Sequence, residues 1–353
     1  MMSPPIPVFD GHNDVLLRLY RSASADPVAD FLNGEEAGHI DLKKAKAGGF
    51  AGGLFALFSP PARPAGADKQ PANGSSFPTL PPPLPMDEAR ASIVGELAML
   101  VKVERASQDA VAICRNVAEI RAALARGALA VVLHIEGAEA IDDKLHFLDV
   151  LYAAGLRSLG PVWSRPNIFG HGVPFRFPSN PDTGDGLTAA GEDLVRVCDA
   201  LKILIDLSHI TEKGFWDVAR LSKAPLVATH SNVHALCPSP RNLTDKQLAA
   251  IRDTGGMVGL NFATGFLRPD GQMRADTDVA LMVQQLDYLL EKLGEDHVGL
   301  GSDFDGAMVP QAIGSAAGLP VLFETLRAKG YSEALMAKIA CENWLKLLER
   351  TIG

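Results

Sequence analysis

The stretch LAVVLHIEG, residues 129–137, decides the fold. Its apolar run, interrupted only by His134, ends abruptly at Glu136. A run rich in valine, isoleucine and leucine without strict alternation is typical of a strand covered on both faces in a parallel sheet. A carboxylate at the end of such a strand needs a partner, because an unpaired buried charge is costly. The stretch therefore predicts a buried parallel strand that delivers Glu136 to one edge of the sheet.

Seven other segments follow the same pattern, and stretches with helical periodicity lie between most of the eight. The predicted strands are Ile6–Asp10, Phe50–Phe58, Leu129–Ile135, Arg157–Val162, Leu201–Ser208, Pro225–Thr229, Gly256–Phe262 and His297–Ser302. The predicted helices include Ala89–Arg105, Val117–Arg126, Gly191–Leu201, Thr211–Leu221, Thr244–Asp253, Thr277–Leu293 and Pro320–Lys329. Strand–helix alternation repeated about eight times favours a (β/α)8 TIM-like barrel over an open doubly wound sheet. We expect residues 1–353 to form a single catalytic domain of the α/β class.

Two segments depart from this alternation. Residues 59–86 contain nine of the chain's 24 prolines, which predicts an irregular insertion that folds over the barrel mouth or against a partner subunit. Residues 163–187 are rich in glycine and proline and follow the fourth strand. Loops at that end of a barrel usually shape the substrate site, so we expect a substrate loop here.

Composition and charge narrow the classes of protein. The chain has 353 residues and a net charge of -9, without a block of basic residues, so nucleic acid is not an expected partner. No apolar run reaches the roughly 18 residues of a membrane span, and the start of the sequence lacks the pattern of a signal peptide. The four cysteines lie far apart, which argues against a zinc finger or a disulfide framework. We therefore expect a cytoplasmic protein that does not bind membranes.

Polar residues at several strand ends form a candidate metal site. His12 and Asp14 lie two apart in FDGHND, so in extended backbone both side chains reach the same side. Taken alone, the pair is better explained by a helix cap at Asp14 beside a hydrogen-bonded histidine, and only the other candidate ligands make a metal site the favoured interpretation. His209 and His230 end the fifth and sixth strands, and neutral imidazole suits zinc. Glu136 is expected to bridge two ions.

Other polar residues near these strand ends have competing interpretations. Asp303 and Asp305 in GSDFDG both follow the eighth strand. Asp303 is the predicted proton shuttle, and Asp305 is interpreted as a helix cap or loop anchor. Because the two residues lie two apart and project to the same side of an extended chain, Asp305 stays open as the alternative. His134 is interpreted as structural or supporting the ligands, and Glu139 as a solvated residue. His234 is interpreted as a cap or surface residue.

The motifs DGHND, HIEG, DLSH, THSN…PRN and GSDFDG resemble those of the membrane dipeptidase (renal dipeptidase) family, zinc peptidases M19 with an amidohydrolase-type barrel. The likeness runs from about Phe9 to Trp344. It implies two zinc ions per subunit, a homodimer and a dipeptide substrate. The implied metal ligands are His12 and Asp14 on one ion, His209 and His230 on the other, and Glu136 between them.

The resemblance also implies that Arg241 binds the carboxylate of the dipeptide, a task suited to a guanidinium; a surface salt bridge is the alternative. The chain departs from the family at two positions. Trp163 occupies the place of a histidine that helps hold the substrate carbonyl, for which His171 or Arg165 is a possible replacement. Ala263 occupies the place of a tyrosine.

Together these features predict a zinc-dependent dipeptidase, in which a hydroxide bridging the metals attacks the peptide bond and Asp303 transfers the proton. The resemblance implies that L,D-dipeptides are accepted. The changed loop at Trp163 keeps a second hypothesis open, a hydrolase of other small amides or lactones at the same site. A metal-binding protein without catalysis is disfavoured by the presence of Asp303.

Overall fold

The computed structural model describes residues 5–61 and 80–353, and within them nine parallel strands form one sheet. The strands are β1 Val8–Asn13, β2 Phe50–Phe58, β3 Val111–Ile113, β4 Leu129–Glu136, β5 Leu156–Gly160, β6 Leu204–Ile205, β7 Val227–Ala228, β8 Met257–Leu260 and β9 Val298–Leu300. Eight of them run in the order β6-β5-β4-β2-β1-β9-β8-β7. A parallel bridge between Asp206 and Val227 joins the two ends of that path. The result is a nearly closed barrel of eight strands, which confirms the predicted (β/α)8 fold class.

Helices cover the outside of the barrel. They are α1 Val15–Tyr20, α2 Pro27–Asn33, α3 Leu42–Gly48, α4 Met86–Ala106, α5 Val117–Ala125, α6 His146–Ala154, α7 Ala189–Leu201, α8 Glu212–Leu221, α9 Asp245–Asp253, α10 Thr264–Leu267, α11 Val279–Leu293, α12 Leu319–Ala328, α13 Glu333–Ala337 and α14 Asn343–Thr351. All seven predicted helices are present, with ends shifted by at most three residues. None of the helices in the described parts of the chain is long and apolar enough to cross a membrane.

The strand β3 was not predicted. It pairs with the first half of β4, from Leu129 to Val131, while β5 pairs with the second half from Leu133 onward. It therefore lies outside the eight-strand path. The predicted strand Leu201–Ser208 is also shorter than expected, because α7 extends to Leu201 and side chains bind the backbone after Ile205.

The barrel closes between its first and last strands. Asp10 of β1 pairs with Leu300 of β9, and the Asp10 carboxylate accepts hydrogen bonds from the Ser302 amide and hydroxyl at 2.6 and 2.8 Å. One residue further, the Asp303 amide donates to the His12 carbonyl over 3.0 Å. This closure brings polar residues from the two ends of the sequence to the same edge.

The indole of Trp344 on α14 packs against the same two strands. Its Nε1 donates to the Leu300 carbonyl over 2.9 Å, and the side chain is fully buried. A Cβ at Gly11 or Gly299 would lie only 2.5 or 2.6 Å from the indole. Glycine at these two positions therefore allows the helix to approach the strands closely.

The proline-rich insertion predicted for residues 59–86 lies partly outside the described residues, which omit positions 62–79. Its final part leads directly into α4 at Met86. The loop of residues 163–187 consists of short bends and contains no helix. One of its residues, Gly172, forms a bridge to Ile210 beyond β6, so the loop crosses the carboxyl end of the barrel.

Candidate functional site

Six polar side chains from five strand ends meet at the carboxyl edge of the barrel. They are His12, Asp14, Glu136, His209, His230 and Asp303. His12 belongs to β1 and Glu136 ends β4, whereas the others come from the segments that follow strands. This is the edge at which barrel enzymes carry their active sites.

Glu136 lies at the centre of this group. Its Oε1 is 2.9 Å from His209 Nε2, 3.3 Å from His230 Nε2 and 3.6 Å from His12 Nε2. The two nitrogens of His209 and His230 are themselves 3.1 Å apart. One carboxylate oxygen therefore faces three imidazoles from three strands.

On the other side of His12 lie two further carboxylates. Asp14 Oδ2 is 3.4 Å from His12 Nε2, and the ligand atoms of His12, Asp14 and Asp303 all lie within 4.8 Å of one another. Asp303 is oriented by Asn261, whose Nδ2 donates to its Oδ2 over 2.9 Å. The site thus divides into a half rich in histidine and a half rich in carboxylates.

Two of these residues have backbone angles that are unfavourable for side chains other than glycine. The φ angle is 69° at His209 and 58° at Asp303. Such left-handed conformations cost about 1–3 kcal/mol each and persist where the surrounding structure enforces them. The strand ends are thus held in unusual geometry at the place where the side chains converge.

The donor set fits metal ions. Both ring nitrogens of His12 are buried without a hydrogen-bond partner, and the Nε2 atoms of His209 and His230 face each other while their Nδ1 atoms contact Ser164 and Thr229 hydroxyls at 2.8 Å. Imidazole nitrogens and carboxylate oxygens are the ligands that zinc takes in catalytic sites. A bound cation would give His12 Nε2 a partner and could take the Nε2 atoms of His209 and His230 as further ligands.

The electrostatics of the site also favour a cation. Burial lowers the pKa of His209 and that of His230 well below the usual value, so both rings are neutral and able to bind metal. Burial also lowers the pKa of His12, but Glu136, Asp14 and Asp303 more than offset this and raise it to about 10. The carboxylates that favour a proton on His12 would equally favour a metal ion beside it.

Arg241 lies at the rim of this group. It is only 3% exposed, its Nη2 donates to the His230 carbonyl over 3.1 Å and its Nη1 to Ser231 Oγ over 3.4 Å. Its guanidinium carbon is 5.3 Å from the centre of the Phe266 ring, and its Nε has no partner. No ion pair of Arg241 occurs among the described residues, so the geometry does not support a surface salt bridge.

An aromatic wall connects Arg241 with His209, one of the candidate metal ligands. Phe266 stacks on Phe175 at 6.1 Å between ring centres, and Phe175 contacts Trp163 at 5.5 Å. The Trp163 indole is 5.8 Å from the His209 ring and 5.1 Å from Phe58. Trp163 therefore lies next to a candidate ligand but presents its ring to it.

The two candidate replacements for the family histidine have other contacts. Arg165 is fully buried and binds Glu139 Oε1 through Nε and Nη2 at 3.1 and 3.0 Å. The interpretation of Glu139 as a solvated residue is wrong, since this residue is buried in that ion pair. His171 contacts the Gly186 carbonyl over 3.2 Å within its own loop.

Asp305 anchors a neighbouring loop. Its carboxylate accepts hydrogen bonds from the His39 and Ile40 amides at 2.7 and 3.3 Å and pairs with Arg18 Nε at 3.0 Å. Its amide in turn donates to His39 Nδ1 over 2.8 Å. These contacts match the predicted role as a loop anchor, so Asp303 is the member of this pair that lies in the site.

Several residues around the ligands were missed from the sequence. Asn261 binds Asp303, and the hydroxyls of Thr229 and Ser164 contact the candidate ligands His230 and His209. Asp206 could have been found from the sequence, because it is an acidic residue directly after an apolar run and three positions before His209. The structure shows that it is buried. His134 contacts Ser158 Oγ at 2.8 Å and lies 3.8 Å from Asp206, which agrees with a supporting role.

Comparison with known proteins gives a consistent result. The family model described as membrane dipeptidase (peptidase family M19) matches residues 2–352. A metallo peptidase from Rhodobacter sphaeroides, solved with a phosphinate mimic of the dipeptide L-Ala-D-Ala, is 53% identical, with a TM-score of 0.92 over 98% of this chain and 99% of its own. A second solved structure, that of the dipeptidase AC, a metallo peptidase of family M19, is also 53% identical, with a TM-score of 0.92 over 99% of both chains. An uncharacterized protein in the pqqA 5′ region of Klebsiella pneumoniae is 51% identical over 72% of this chain and 94% of its own.

Proposed function

Because this chain belongs to the membrane dipeptidase family (peptidase family M19), we propose that it is a binuclear zinc dipeptidase that hydrolyses L,L- and L,D-dipeptides. The observation that carries the proposal is the contact of Glu136 Oε1 with the imidazoles of three strand ends at 2.9–3.6 Å. A carboxylate in that position can be shared by two cations, each with its own histidine ligands.

The proposed ligands follow the two halves of the site. His12 and Asp14 would hold one zinc ion, His209 and His230 would hold the other, and Glu136 would be shared by both. Zinc in such a site acidifies bound water and polarises a carbonyl group. The chain itself supplies the neutral imidazoles of His209 and His230, the dry surroundings and the fixed strand ends that hold both sets of ligands.

Asp303 is proposed to move the proton. It takes a proton from the attacking water and donates it to the departing amine, and transfer of this kind contributes roughly 10²–10⁴-fold to the rate. Asn261 holds its Oδ2 from one side. Burial raises the pKa of Asp303, and the nearby Asp14 raises it further, which brings the group toward the range in which it can both accept and release a proton.

Arg241 is proposed to bind the terminal carboxylate of the substrate. Its Nε–H has no partner within the described part of the chain, and a buried guanidinium without a carboxylate partner favours an anionic ligand. The anchor fixes the distance between the carboxylate and the scissile bond. Longer peptides would leave Arg241 unpaired, so the enzyme selects dipeptides by length.

Acceptance of a D-residue at the carboxyl end is supported by one relative. The ligand of the Rhodobacter sphaeroides protein mimics an L,D-dipeptide, and that protein shares the fold over nearly its whole length. The wall formed by Trp163, Phe175 and Phe266 offers apolar surface between Arg241 and His209. We propose that Trp163 contacts the substrate there, and that His171 shapes the loop behind it.

A second function rests on one observation. Trp163 presents an indole beside His209 where the family motif has a histidine donor, so small amides or lactones that do not need that donor remain alternative substrates.

A homodimer and a cytoplasmic location also remain predictions, as does the treatment of residues 1–353 as one catalytic domain.

The test is amino acid release from a panel of L,L- and L,D-dipeptides, measured on zinc-loaded wild type and Asp303→Asn. Turnover by the wild type and its loss in the variant, at equal zinc content, is the expected result. If wild type with two bound zinc ions cleaves no dipeptide but hydrolyses N-acyl amides or lactones, the second function replaces the first.

A further inference from the structure

Asp206 lies directly behind the candidate metal site and uses both carboxylate oxygens fully. It follows β6 and is 1% exposed. Its Oδ1 accepts from the Ser208 amide at 3.0 Å, the Ser208 hydroxyl at 2.8 Å and the Thr229 amide at 2.8 Å. Its Oδ2 accepts from the Thr229 hydroxyl at 2.6 Å. Four donors on two oxygens are the partners of an ionised carboxylate, which can only accept.

The hydrogen bond from Thr229 to Asp206 determines the direction of the hydrogen bond between Thr229 and His230. Thr229 has a single hydroxyl hydrogen, and it is donated to Asp206. The oxygen of Thr229 must therefore accept in its 2.8 Å contact with His230 Nδ1. That contact places the ring hydrogen of neutral His230 on Nδ1 and leaves a lone pair on Nε2.

The Nε2 atom is the one that faces the site. It lies 3.3 Å from Glu136 Oε1 and 3.1 Å from His209 Nε2. We propose that Asp206 is a positioning residue that, through the Thr229 hydroxyl, fixes the Nδ1–H tautomer of His230 and so presents its Nε2 lone pair to the site before any metal binds. This inference rests on the proposed role of His230 as a ligand.

His209 provides the internal contrast. Its Nδ1 contacts the Ser164 hydroxyl at 2.8 Å, but no carboxylate of the described residues accepts from Ser164. The Ser164 hydrogen is therefore free to point toward or away from the imidazole, and this hydroxyl does not select a tautomer. Of these two histidines, His230 is therefore the one with a hydrogen-bond chain of fixed direction behind it.

An isosteric change reverses that direction. In Asp206→Asn, the three donors at Oδ1 require the amide oxygen to occupy that position, so the amide nitrogen takes the place of Oδ2. It then donates to Thr229, whose hydroxyl must turn its hydrogen to His230 Nδ1. His230 would carry its hydrogen on Nε2, where it pairs with Glu136 and cannot bind metal.

The test reads the tautomer in metal-free protein labelled with 15N-histidine, by two-bond 1H–15N correlation, with the His230 signals assigned from His230→Gln. We expect Nδ1–H in wild type, Thr229→Ser and Ser164→Ala, and Nε2–H in Asp206→Asn. Zinc affinity, measured by chelator competition, should fall about 10–100-fold in Asp206→Asn, the usual cost of losing a residue that orients a ligand. Thr229→Ser should match wild type.

Nε2–H at His230 in the wild type overturns the inference without recourse to a variant, as does an unchanged tautomer in folded Asp206→Asn. If Asp206→Asn does not fold, Thr229→Val replaces it, and a pure Nδ1–H tautomer in that variant overturns the inference. None of these readouts depends on turnover. A protein with the expected tautomers that cleaves no dipeptide would contradict the proposed function and leave the role of Asp206 in place.

Discussion

Replacement of Arg241 by methionine removes a buried positive charge while keeping most of the side-chain volume. In the structure the guanidinium uses one N–H for the His230 carbonyl and one for Ser231, and its Nε–H has no partner. Of the five N–H groups of a guanidinium, three are thus available to a substrate carboxylate. That number suffices for a two-point contact from one edge of the group.

The size of the effect follows from the burial of the anchor. Loss of one member of a buried, hydrogen-bonded charge pair costs about 2–5 kcal/mol. At about 1.4 kcal/mol per factor of ten, we expect kcat/KM for a dipeptide to fall roughly 30- to 3,000-fold in Arg241→Met. Arg241→Lys should lie between the variant and wild type, because an ammonium keeps the charge but lacks the two-point geometry.

The assay compares each dipeptide with its carboxyl-terminal amide in wild type and in Arg241→Met. In wild type, kcat/KM should be higher for the dipeptide than for its amide, by about the factor by which Arg241→Met lowers kcat/KM for the dipeptide. In Arg241→Met, kcat/KM should differ little between the two substrates. Thermal unfolding of both proteins controls for damage to the fold. If the substitution lowers kcat/KM equally for dipeptide and amide, Arg241 does not bind the carboxylate.

Three further outcomes are expected. Asp303→Asn should lower kcat about 10²–10⁴-fold with unchanged zinc content, and activity near wild type would exclude Asp303 as the proton shuttle. Removal of metal by a chelator should abolish turnover and lower the unfolding temperature, with zinc restoring both. At free zinc 100 times Kd, each bound ion should stabilise the folded state by about 2.7 kcal/mol. An active metal-free protein would contradict the metal site. Burial holds the pKa of Glu96 well above its usual value, so the folded state binds this proton more tightly than the unfolded state and wild-type stability falls as pH rises. Glu96→Gln should therefore be more stable than wild type at pH 8 and lose that advantage toward pH 5, as measured by thermal unfolding; a variant that is less stable at pH 8 would refute a protonated Glu96.

The barrel could be predicted because each of its eight main strands contains a short apolar run that can be recognised in the sequence. In β4, the run from Leu129 to Ile135 identifies the strand, and parallel pairing places its last residue, Glu136, at the same edge as the ends of its neighbours. The strand β3 has only three residues and pairs only with the start of β4. Its sequence alone contains too little periodicity to be recognised.

The residues expected to bind metal come together, whereas their surroundings depend on contacts between distant segments. The burial of Glu139 follows from Arg165, 26 residues away and on a loop without regular structure. Likewise, Asp206 acquires its partners only when β6 lies beside β7, through a pairing with Thr229. Side-chain hydrogen bonds of this kind have no fixed sequence spacing, so periodicity cannot predict them.

The pairing of β1 with β9 has a consequence for biosynthesis. A ribosome releases His12 almost three hundred residues before Asp303, and the amide of Asp303 is what binds the His12 carbonyl in the closed barrel. Until β9 is made, β1 has an exposed edge on one side and the site lacks one of its carboxylates. Since contacts between such distant segments form slowly, a nascent chain that already contains all five proposed metal ligands still lacks the proposed proton shuttle. The proposed catalytic set thus becomes complete only after translation has passed the last strand, whereas the residues proposed to bind metal are made earlier.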